Sequence, residues 1–388
     1  MNGMPSTLEL RHVPTALSCS PIPLPWRTSG VASLVGHARP ADNVHDRASR
    51  ATLLTRIAAV LDQPLLDPMD VEQASLATAL LVPGEALEAR VAAAAGITDR
   101  HGLLGGVVPA PFVATKAISH GLVDDRAACP AGWSFAMSRL LGDAALPGYT
   151  AFTHTDAATA GRLLLVRGPV RIKDVCGKAG LGQRVVRSTE QLDAALALED
   201  AADLAEHGIV LEENLTDVVT YSVGTVELGH QCVSYWGTQT LTTDHKGREV
   251  YGGTDLHVVR GGFAELAALD LPGRLSQAIR CAAIFDAAAH AAYPDILLTR
   301  RNYDVIEGTD AAGNRRIGVL EQSWRVGGAS GAELSAFEAF RAEPGTTQVR
   351  CSTVEVYDLV TPPVGAVTYY QGVDPVVGAM TKYAMRYA

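Results

Sequence analysis

The sequence predicts a mixed α/β (α+β) fold in three parts, and three observations support this prediction. The chain has 388 residues, of which 47% are hydrophobic and 19% are charged, so it carries enough apolar side chains for several cores. Its first part alternates short apolar runs with segments of helical periodicity, which is typical of a parallel sheet covered by helices. Its last part contains long alternating runs separated by glycine turns, which indicate antiparallel strands.

The first part is expected to be an N-terminal parallel α/β domain over residues 28–135. Residues 31–35 and 77–82 are short apolar runs that predict buried strands. Residues 45–63 carry apolar side chains at helical spacing, and residues 85–96 predict a second helix that ends at a glycine. The strand–helix order therefore favours a parallel sheet.

Residues 1–27 precede this domain and contain five prolines. Because proline removes a backbone donor and fixes φ, we expect this segment to be a leader without regular structure.

A connecting segment and a small β-rich unit are expected over residues 136–212. Ser188 with Gln191 three residues later is a capping-box signature, and the helix that it begins is expected to run to Gly208. Four apolar runs predict strands in and beside this unit: residues 161–166, 169–173, 183–186 and 209–215.

The last part, residues 213–388, is expected to form an antiparallel-sheet domain. Residues 220–228 and 231–240 alternate in polarity and are joined by a glycine turn, which predicts a hairpin. Residues 271–292 predict a long helix, and a second hairpin is expected over about 302–325.

A glycine-rich loop, "RIKDVCGKAGLGQ", connects two of the predicted strands. Its glycines are Gly177, Gly180 and Gly182, and their spacing matches neither the GxxxxGK[ST] nor the GxGxxG phosphate motif. Since strands flank the loop on both sides, we expect a hairpin flap whose backbone amides can close over an anion. Lys173 and Lys178 could offer ammonium groups to phosphate oxygens. An ordinary hairpin with solvated lysines is the alternative.

The second predicted hairpin carries facing carboxylates. A turn centred between Ala312 and Gly313 places Asp304 directly opposite Glu321 on one face. Two facing carboxylates repel each other unless a cation lies between them, and Mg²⁺ prefers oxygen ligands. The alternatives are exposure to solvent or neutralisation by Arg325.

Two further residues belong to the same face of this hairpin. Ser323 follows Glu321 by two positions, and Asn302 lies opposite Ser323. A slip of one residue in the register would move these groups to opposite faces.

The order of these motifs resembles the ATP-grasp superfamily over roughly residues 135–330. A strand ending in Lys173 is followed by the glycine hairpin, a helix, a strand with paired glutamates and the carboxylate hairpin. The stretches "PAPFVATKAISHGLV", "YSVGTVELG" and "VLEQSWRVGG" resemble an uncharacterised bacterial family that is sometimes loosely labelled biotin carboxylase. The resemblance implies an ATP-grasp fold with a parallel N-terminal domain, a small β-rich lid and a C-terminal antiparallel-sheet domain.

The resemblance also implies ATP and Mg²⁺ as cofactors and assigns roles to residues. Arg325 and Lys178 would be catalytic, and Arg260 and Asn302 would bind substrate. The implied nucleotide contacts are Arg139, Lys173, Gly177, Gly180, Gly182, Glu212, Glu213 and Leu215. The implied metal ligands are Asp304, Glu321 and Ser323. Ser323 departs from the family, which usually carries an asparagine there.

The function implied is an ATP-dependent carboxylate–amine, or carboxylate–nucleophile, ligase that forms an acyl phosphate with Mg²⁺. One alternative is a nucleotide-binding regulatory protein that has the fold without ligase activity. Another is a biotin carboxylase-like activity, which the absence of a biotin-accepting Met-Lys-Met segment disfavours. The partners would be ATP, a small carboxylate and an amine or other nucleophile.

Bulk properties exclude several other partners. The net charge is −10, which disfavours nucleic acid, and no apolar run reaches the roughly 18 residues needed to cross a membrane. The six cysteines stand singly, so reduced thiols and a cytoplasmic location are expected. Homodimerisation is left open.

Overall fold

The computed structural model describes residues 28–34, 43–66, 78–177 and 182–387. The expected leader, residues 1–27, lies outside the described residues. Three units follow one another along the chain: a small α/β unit, a four-stranded unit and a large antiparallel sheet.

The first unit contains the expected parallel sheet. Its strand order is β2-β1-β3 with parallel pairing throughout, which confirms the prediction. The second predicted helix is shorter than expected, because residues 87–88 form a strand before it begins. The elements are β1 (Val31–Leu34), α1 (Val44–Leu61), β2 (Leu65–Leu66), β3 (Leu80–Pro83), β4 (Leu87–Glu88), α2 (Ala89–Ala94) and β5 (Gly106–Val108).

The second unit is a four-stranded antiparallel sheet with helices on one face, and we call it the lid. Its strand order is β6-β9-β7-β8. The helix α3 (Phe135–Leu141) precedes the lid and contributes Met137 and Leu141 to the core beside the large sheet. The lid comprises β6 (Gly148–Ala151), α4 (His154–Leu165), β7 (Val170–Asp174), β8 (Gln183–Val186), α5 (Thr189–Leu196), α6 (Ala201–His207) and β9 (Ile209–Glu213).

Two predictions about the lid are wrong. Residues 161–166 end the helix α4 instead of forming a strand, since a short apolar run does not distinguish a buried strand from a buried helix. Thr153 begins that helix by accepting a hydrogen bond from the Asp156 amide. The helix predicted from Ser188 to Gly208 is two helices, because Asp200 caps a second one.

The third unit is an eight-stranded sheet of order β15-β14-β10-β11-β12-β16-β18-β17. Its strands are β10 (Thr216–Leu228), β11 (Gln231–Thr243), β12 (Glu249–Arg260), β14 (Arg300–Thr309), β15 (Arg315–Ser323), β16 (Gln348–Val356), β17 (Val367–Asp374) and β18 (Gly378–Arg386). The remaining elements are α7 (Phe263–Ala267), α8 (Gly273–Ala292), α9 (Ser330–Ala342) and β13 (Leu297–Leu298), which pairs with β5.

Both faces of the large sheet are packed, but one is covered over only part of its length. The long helix α8 fills one face through buried side chains such as Phe285. The helices α9 and α1 cover part of the other face, where Phe337 and Leu256 are buried. The uncovered part of that second face forms the floor of a cleft under the lid.

The register of the β14–β15 hairpin is set by a bulge as well as by its turn. Near the turn Thr309 pairs with Arg315, so the turn is centred one half-residue earlier than predicted. A register shift after Val305–Val319 leaves Leu320 without a partner and brings Asp304 opposite Glu321. The predicted pairing of the carboxylates is therefore confirmed, although the turn alone would have placed Leu320 there.

Among the cysteines that the structure describes, Cys129, Cys176, Cys281 and Cys351 are free thiols, in agreement with the expectation of reduced thiols for these four. Cys129 and Cys176 are exposed, and Cys281 and Cys351 are buried.

In the part of the chain that the structure describes, no helix is both long enough and apolar enough to cross a bilayer.

Candidate active site

A single cleft between the lid and the large sheet collects most of the predicted site residues. Its volume is about 1670 Å³. The predicted residues that line it are Lys173, Gly177, Glu212, Glu213, Leu215, Asn302, Asp304, Glu321, Ser323 and Arg325. They come from the lid strands β7 and β9, from the hairpin β14–β15, and from the residues that directly follow these strands.

The lid contributes a buried ion pair to the cleft wall. Lys173 Nζ lies 2.5 Å from Glu212 Oε1, and His120 Nε2 lies 3.2 Å from Glu212 Oε2. Burial by itself would raise the pKa of Glu212, but the charge of Lys173 and the contacts with His120 lower that pKa to about 2. Glu212 is therefore a carboxylate across the whole neutral range, and it holds the Lys173 ammonium in place.

Strands β7 and β8 flank the glycine loop on both sides, as the sequence predicted. The Asp174 amide donates to Gly182 O at 3.0 Å and closes the hairpin. Gly182 has φ of +73°, and a Cβ there would lie 2.9 Å from Asp174 Cβ, so this position requires glycine. Lys178 and Gly180 lie outside the described residues.

The β14–β15 hairpin contributes the carboxylates to the floor. Asp304 Oδ1 accepts hydrogen bonds from Gln239 Nε2 at 2.8 Å and from Asn302 Nδ2 at 2.9 Å. Removal from bulk water and the facing charge of Glu321 raise the pKa of Asp304 to about 6, against the effect of these donors. The two carboxylates thus form a pair that favours a cation between them.

Lys116 is a site residue that the sequence analysis did not single out. Its ammonium lies 2.8 Å from Glu321 Oε2 and donates to Gly177 O at 2.7 Å, and its side chain is 4% exposed. It therefore joins the glycine loop to the carboxylate hairpin. The only sequence signal is a lysine inside the apolar run "FVATKAI", which suggests a buried charge with a specific partner.

A network of buried polar side chains lies beside the carboxylates and holds Asn302 and Ser323 in position. Arg300 pairs with Glu333 at 2.8 Å and donates to Ser323 O at 3.0 Å and to Ser323 Oγ at 3.3 Å. The Tyr235 hydroxyl donates to Glu333 at 2.6 Å, and Asn302 Oδ1 lies 3.0 Å from the same hydroxyl oxygen. The amide of Asn302 is thus shared between Tyr235 and Asp304, and it orients the carboxylate.

The donor chemistry of the hairpin fits a hard cation. Asp304, Glu321 and Ser323 offer oxygen ligands, and the ammonium of Lys116 already lies against Glu321 where positive charge is favoured. The part of the chain that the structure describes contains no group of three His, Cys, Asp or Glu side chains that would hold a metal alone. A cation here would gain further ligands from the phosphates of a bound nucleotide.

Three of the predicted site residues that the structure describes do not line the cleft: Gly182, Arg139 and Arg260. The Arg260 guanidinium donates to Phe340 O and to Thr346 O, and it packs over the Phe340 ring. It therefore satisfies carbonyls at the end of α9, a role that sequence spacing does not reveal. Arg139 is exposed on α3 and is not part of the cleft lining.

Arg325 lines the cleft and follows Ser323 by two positions. Its Nε lies 3.3 Å from Glu85 of the first unit, and its Nη1 donates to Val326 O at 2.9 Å. Glu85 lines the same cleft, so the charge of the Arg325 guanidinium is partly balanced within the cleft wall.

Comparison with solved structures supports the fold assignment. Carboxyaminoimidazole ribonucleotide synthase from Aspergillus clavatus, solved in complex with ATP, is 12% identical, with a TM-score of 0.50 over 93% of this chain and 94% of that one. Phosphoribosylamine–glycine ligase from Thermotoga maritima is 13% identical, with a TM-score of 0.48 over 92% and 90%. The chain has the ATP-grasp fold.

Among known sequences, the chain resembles one family. No curated protein matches the chain. A family model matches residues 34–384, and the chain therefore belongs to the family described as "Protein of unknown function (DUF3182)".

Proposed function

We propose that the protein is an ATP-dependent ligase that activates a carboxylate as an acyl phosphate and transfers the acyl group to an amine or another nucleophile. One observation carries this proposal: the Lys173–Glu212 pair, the glycine loop and the Asp304–Glu321 pair line the same cleft. Fold alone does not fix a substrate, so the carboxylate and the nucleophile stay open.

The nucleotide would lie along the lid. Its base would face the end of β9, where Glu212, Glu213 and Leu215 line the cleft, and its phosphates would face the glycine loop. The Lys173 and Lys116 ammonium groups would neutralise phosphate charge, with Lys178 as a further candidate. The backbone amides beside Gly177 and Gly182 would contact the phosphate oxygens.

Asp304, Glu321 and Ser323 would hold Mg²⁺. The bound metal would neutralise the charge of the phosphates during transfer. Lys116 would release Glu321 so that this carboxylate can bind the metal. The ammonium would then turn towards the phosphates at the glycine loop, where it already contacts Gly177 O.

The proposed reaction has two steps, phosphoryl transfer to the carboxylate and acyl transfer to the nucleophile. A substrate carboxylate oxygen attacks the γ-phosphorus of ATP, the bond to the β-phosphate oxygen breaks, and ADP leaves. The nucleophile then attacks the acyl carbon, phosphate leaves with the bonding electrons, and an attacking amine loses a proton. Arg325 would stabilise the negative charge on the transferred phosphoryl group or hold the acyl substrate.

Calorimetric titration of Mg·ATP tests this proposal. We expect micromolar binding by the wild type, strong weakening in Lys173→Ala, and loss of the Mg²⁺ dependence in Glu321→Ala. Arg139→Ala is a matched control that should bind as the wild type does, since Arg139 lies outside the cleft. Absence of binding by the wild type, in both the presence and absence of carboxylate and amine pools, would contradict the proposal.

A second candidate function is a nucleotide-binding regulator without ligase activity. The observation that favours it is Ser323, whose short hydroxyl is engaged by Arg300 where the superfamily usually has an asparagine. Phosphate release from ATP on adding carboxylate and amine pools separates the two, because a regulator binds ATP without releasing phosphate.

A further inference from the structure

Arg171 lies in the cleft without a role in the reaction as proposed. It precedes Lys173 by two positions on β7, so both side chains leave the strand on the face that lines the cleft. The intervening Ile172 points the other way and is buried in the lid core. Arg171 is therefore part of the cleft wall and not of the lid interior.

The position of Arg171 along β7 places it at the base end of the nucleotide site. The glycine loop follows the C-terminal end of β7, so Arg171 is about 7 Å farther from the loop than Lys173 is. It pairs across the ladder with Glu212 and contacts Asn214, which directly follows β9. These are the residues that the base of a bound nucleotide would meet.

The hydrogen bonds of Arg171 fix the plane of its guanidinium but do not neutralise its positive charge. Nη1 donates to Gln183 Oε1 at 3.0 Å, and Nη2 donates to Asn214 Oδ1 at 2.9 Å. Both acceptors are neutral amides, and among the described residues Arg171 forms no ion pair with a carboxylate. Its cross-strand neighbour Glu212 is directed to Lys173 and His120 instead.

A planar cation whose plane is held by two in-plane hydrogen bonds offers its face to a flat π-system. Leu215 and Ile306 add apolar surface to the same cleft. We propose that Arg171 recognises the nucleotide by stacking its guanidinium on the purine base. This inference rests on the proposed nucleotide site and adds a base-specific contact to it.

The test compares a ligand that has a base with one that lacks it. Mg·ATP and Mg·tripolyphosphate are each titrated calorimetrically into wild type, Arg171→Leu and Arg171→Lys. Binding of tripolyphosphate is also measured by competition with ATP. We expect both variants to lose about tenfold in affinity for Mg·ATP, while the affinity for tripolyphosphate stays within about twofold. Lysine keeps the charge but not the plane, so its failure to rescue identifies stacking.

Arg184→Leu is the matched control, because Arg184 belongs to the same lid but pairs with Glu199 and the Ala195 carbonyl outside the cleft. It should bind both ligands as the wild type does. Equal weakening of both ligands in Arg171→Leu, or full rescue by lysine, would overturn the stacking role. Wild-type binding with unchanged variants would overturn this inference alone, whereas a wild type that does not bind ATP would overturn the proposed function as well.

Discussion

Glu212 shows how one buried side chain organises the candidate nucleotide site. Both of its oxygens are engaged, one by Lys173 and the other by His120, and its side chain is buried. A buried charge without partners would be costly, so the three residues are stable only together. The same carboxylate thus supports the fold and keeps the Lys173 ammonium directed into the cleft.

The lowered pKa of Glu212 predicts an acid-dependent loss of stability. Its folded pKa of about 2 lies below its ordinary value of 4.5, so the stabilisation is full above pH 4.5 and disappears as the pH falls towards 2. Between pH 6 and pH 3 the loss amounts to about 2 kcal/mol. Urea unfolding at several pH values should show a shallower pH dependence in Glu212→Gln than in wild type.

Glu206→Gln serves as the control for this measurement, since Glu206 is exposed on α6. It should unfold with the pH dependence of the wild type. An unchanged slope in Glu212→Gln would show that the ion pair with Lys173 does not control acid stability.

At the scale of elements, two hairpins determine the geometry of the cleft. The β7–β8 hairpin closes through Gly182, and the β14–β15 hairpin aligns its carboxylates through the bulge at Leu320. Each hairpin depends on one backbone feature. A side chain at Gly182 would disturb the first hairpin, and an inserted or deleted residue near Leu320 would disturb the second. The end of the cleft at the glycine loop is therefore sensitive to backbone changes outside the charged residues.

Substitution of Gly182 tests the first hairpin. Gly182→Ala adds a Cβ at 2.9 Å from Asp174 Cβ on a backbone with φ of +73°, so both strain and a steric contact are expected. We expect a loss of about 1–2 kcal/mol in the free energy of unfolding, measured by urea denaturation, and weaker Mg·ATP binding.

Gly313→Ala is the matched control for this change. Gly313 has φ of +85°, but no atom lies within 4 Å of the added Cβ, so only backbone strain is introduced. It should lose about 1 kcal/mol and keep wild-type nucleotide binding. Equal effects of both variants on binding would contradict the role of the β7–β8 turn.

At the scale of the whole molecule, Lys116 connects the lid to the large sheet. It belongs to the segment after β5, donates to the glycine loop of the lid, and pairs with Glu321 in the large sheet. Arg325 makes a second connection through Glu85 of the first unit. The cleft is thus assembled from parts that are distant in sequence. The pairing of its positive and negative side chains depends on how these parts pack together.

Removal of the Lys116 ammonium should strengthen metal binding without nucleotide. In Lys116→Met the carboxylate of Glu321 loses its competing cation, so Mn²⁺ affinity, measured from the free-ion electron paramagnetic resonance signal, should rise several-fold. Lys382→Met is the control, because Lys382 pairs with Glu355 and Asp46 instead. An unchanged or lower Mn²⁺ affinity in Lys116→Met would contradict the competition.

The sequence by itself determined the order and type of most elements. Local periodicity predicted β7, β8 and α8, because burial of one face imposes a repeat that is visible in a short window. Spacing also predicted that Asp304 faces Glu321, although the actual register needed the bulge at Leu320. Apolar runs such as residues 161–166 were ambiguous, because a buried helix and a buried strand have the same composition.

Only the tertiary structure decided which charges meet. Lys116 and Glu321 are far apart along the chain, and so are His120 and Glu212, so no local pattern could pair them. The same applies to Arg260, which the sequence placed at a substrate and the structure places on carbonyls at the end of α9. Long-range contacts depend on the packing of complete elements, and a short window of sequence contains no information about that packing.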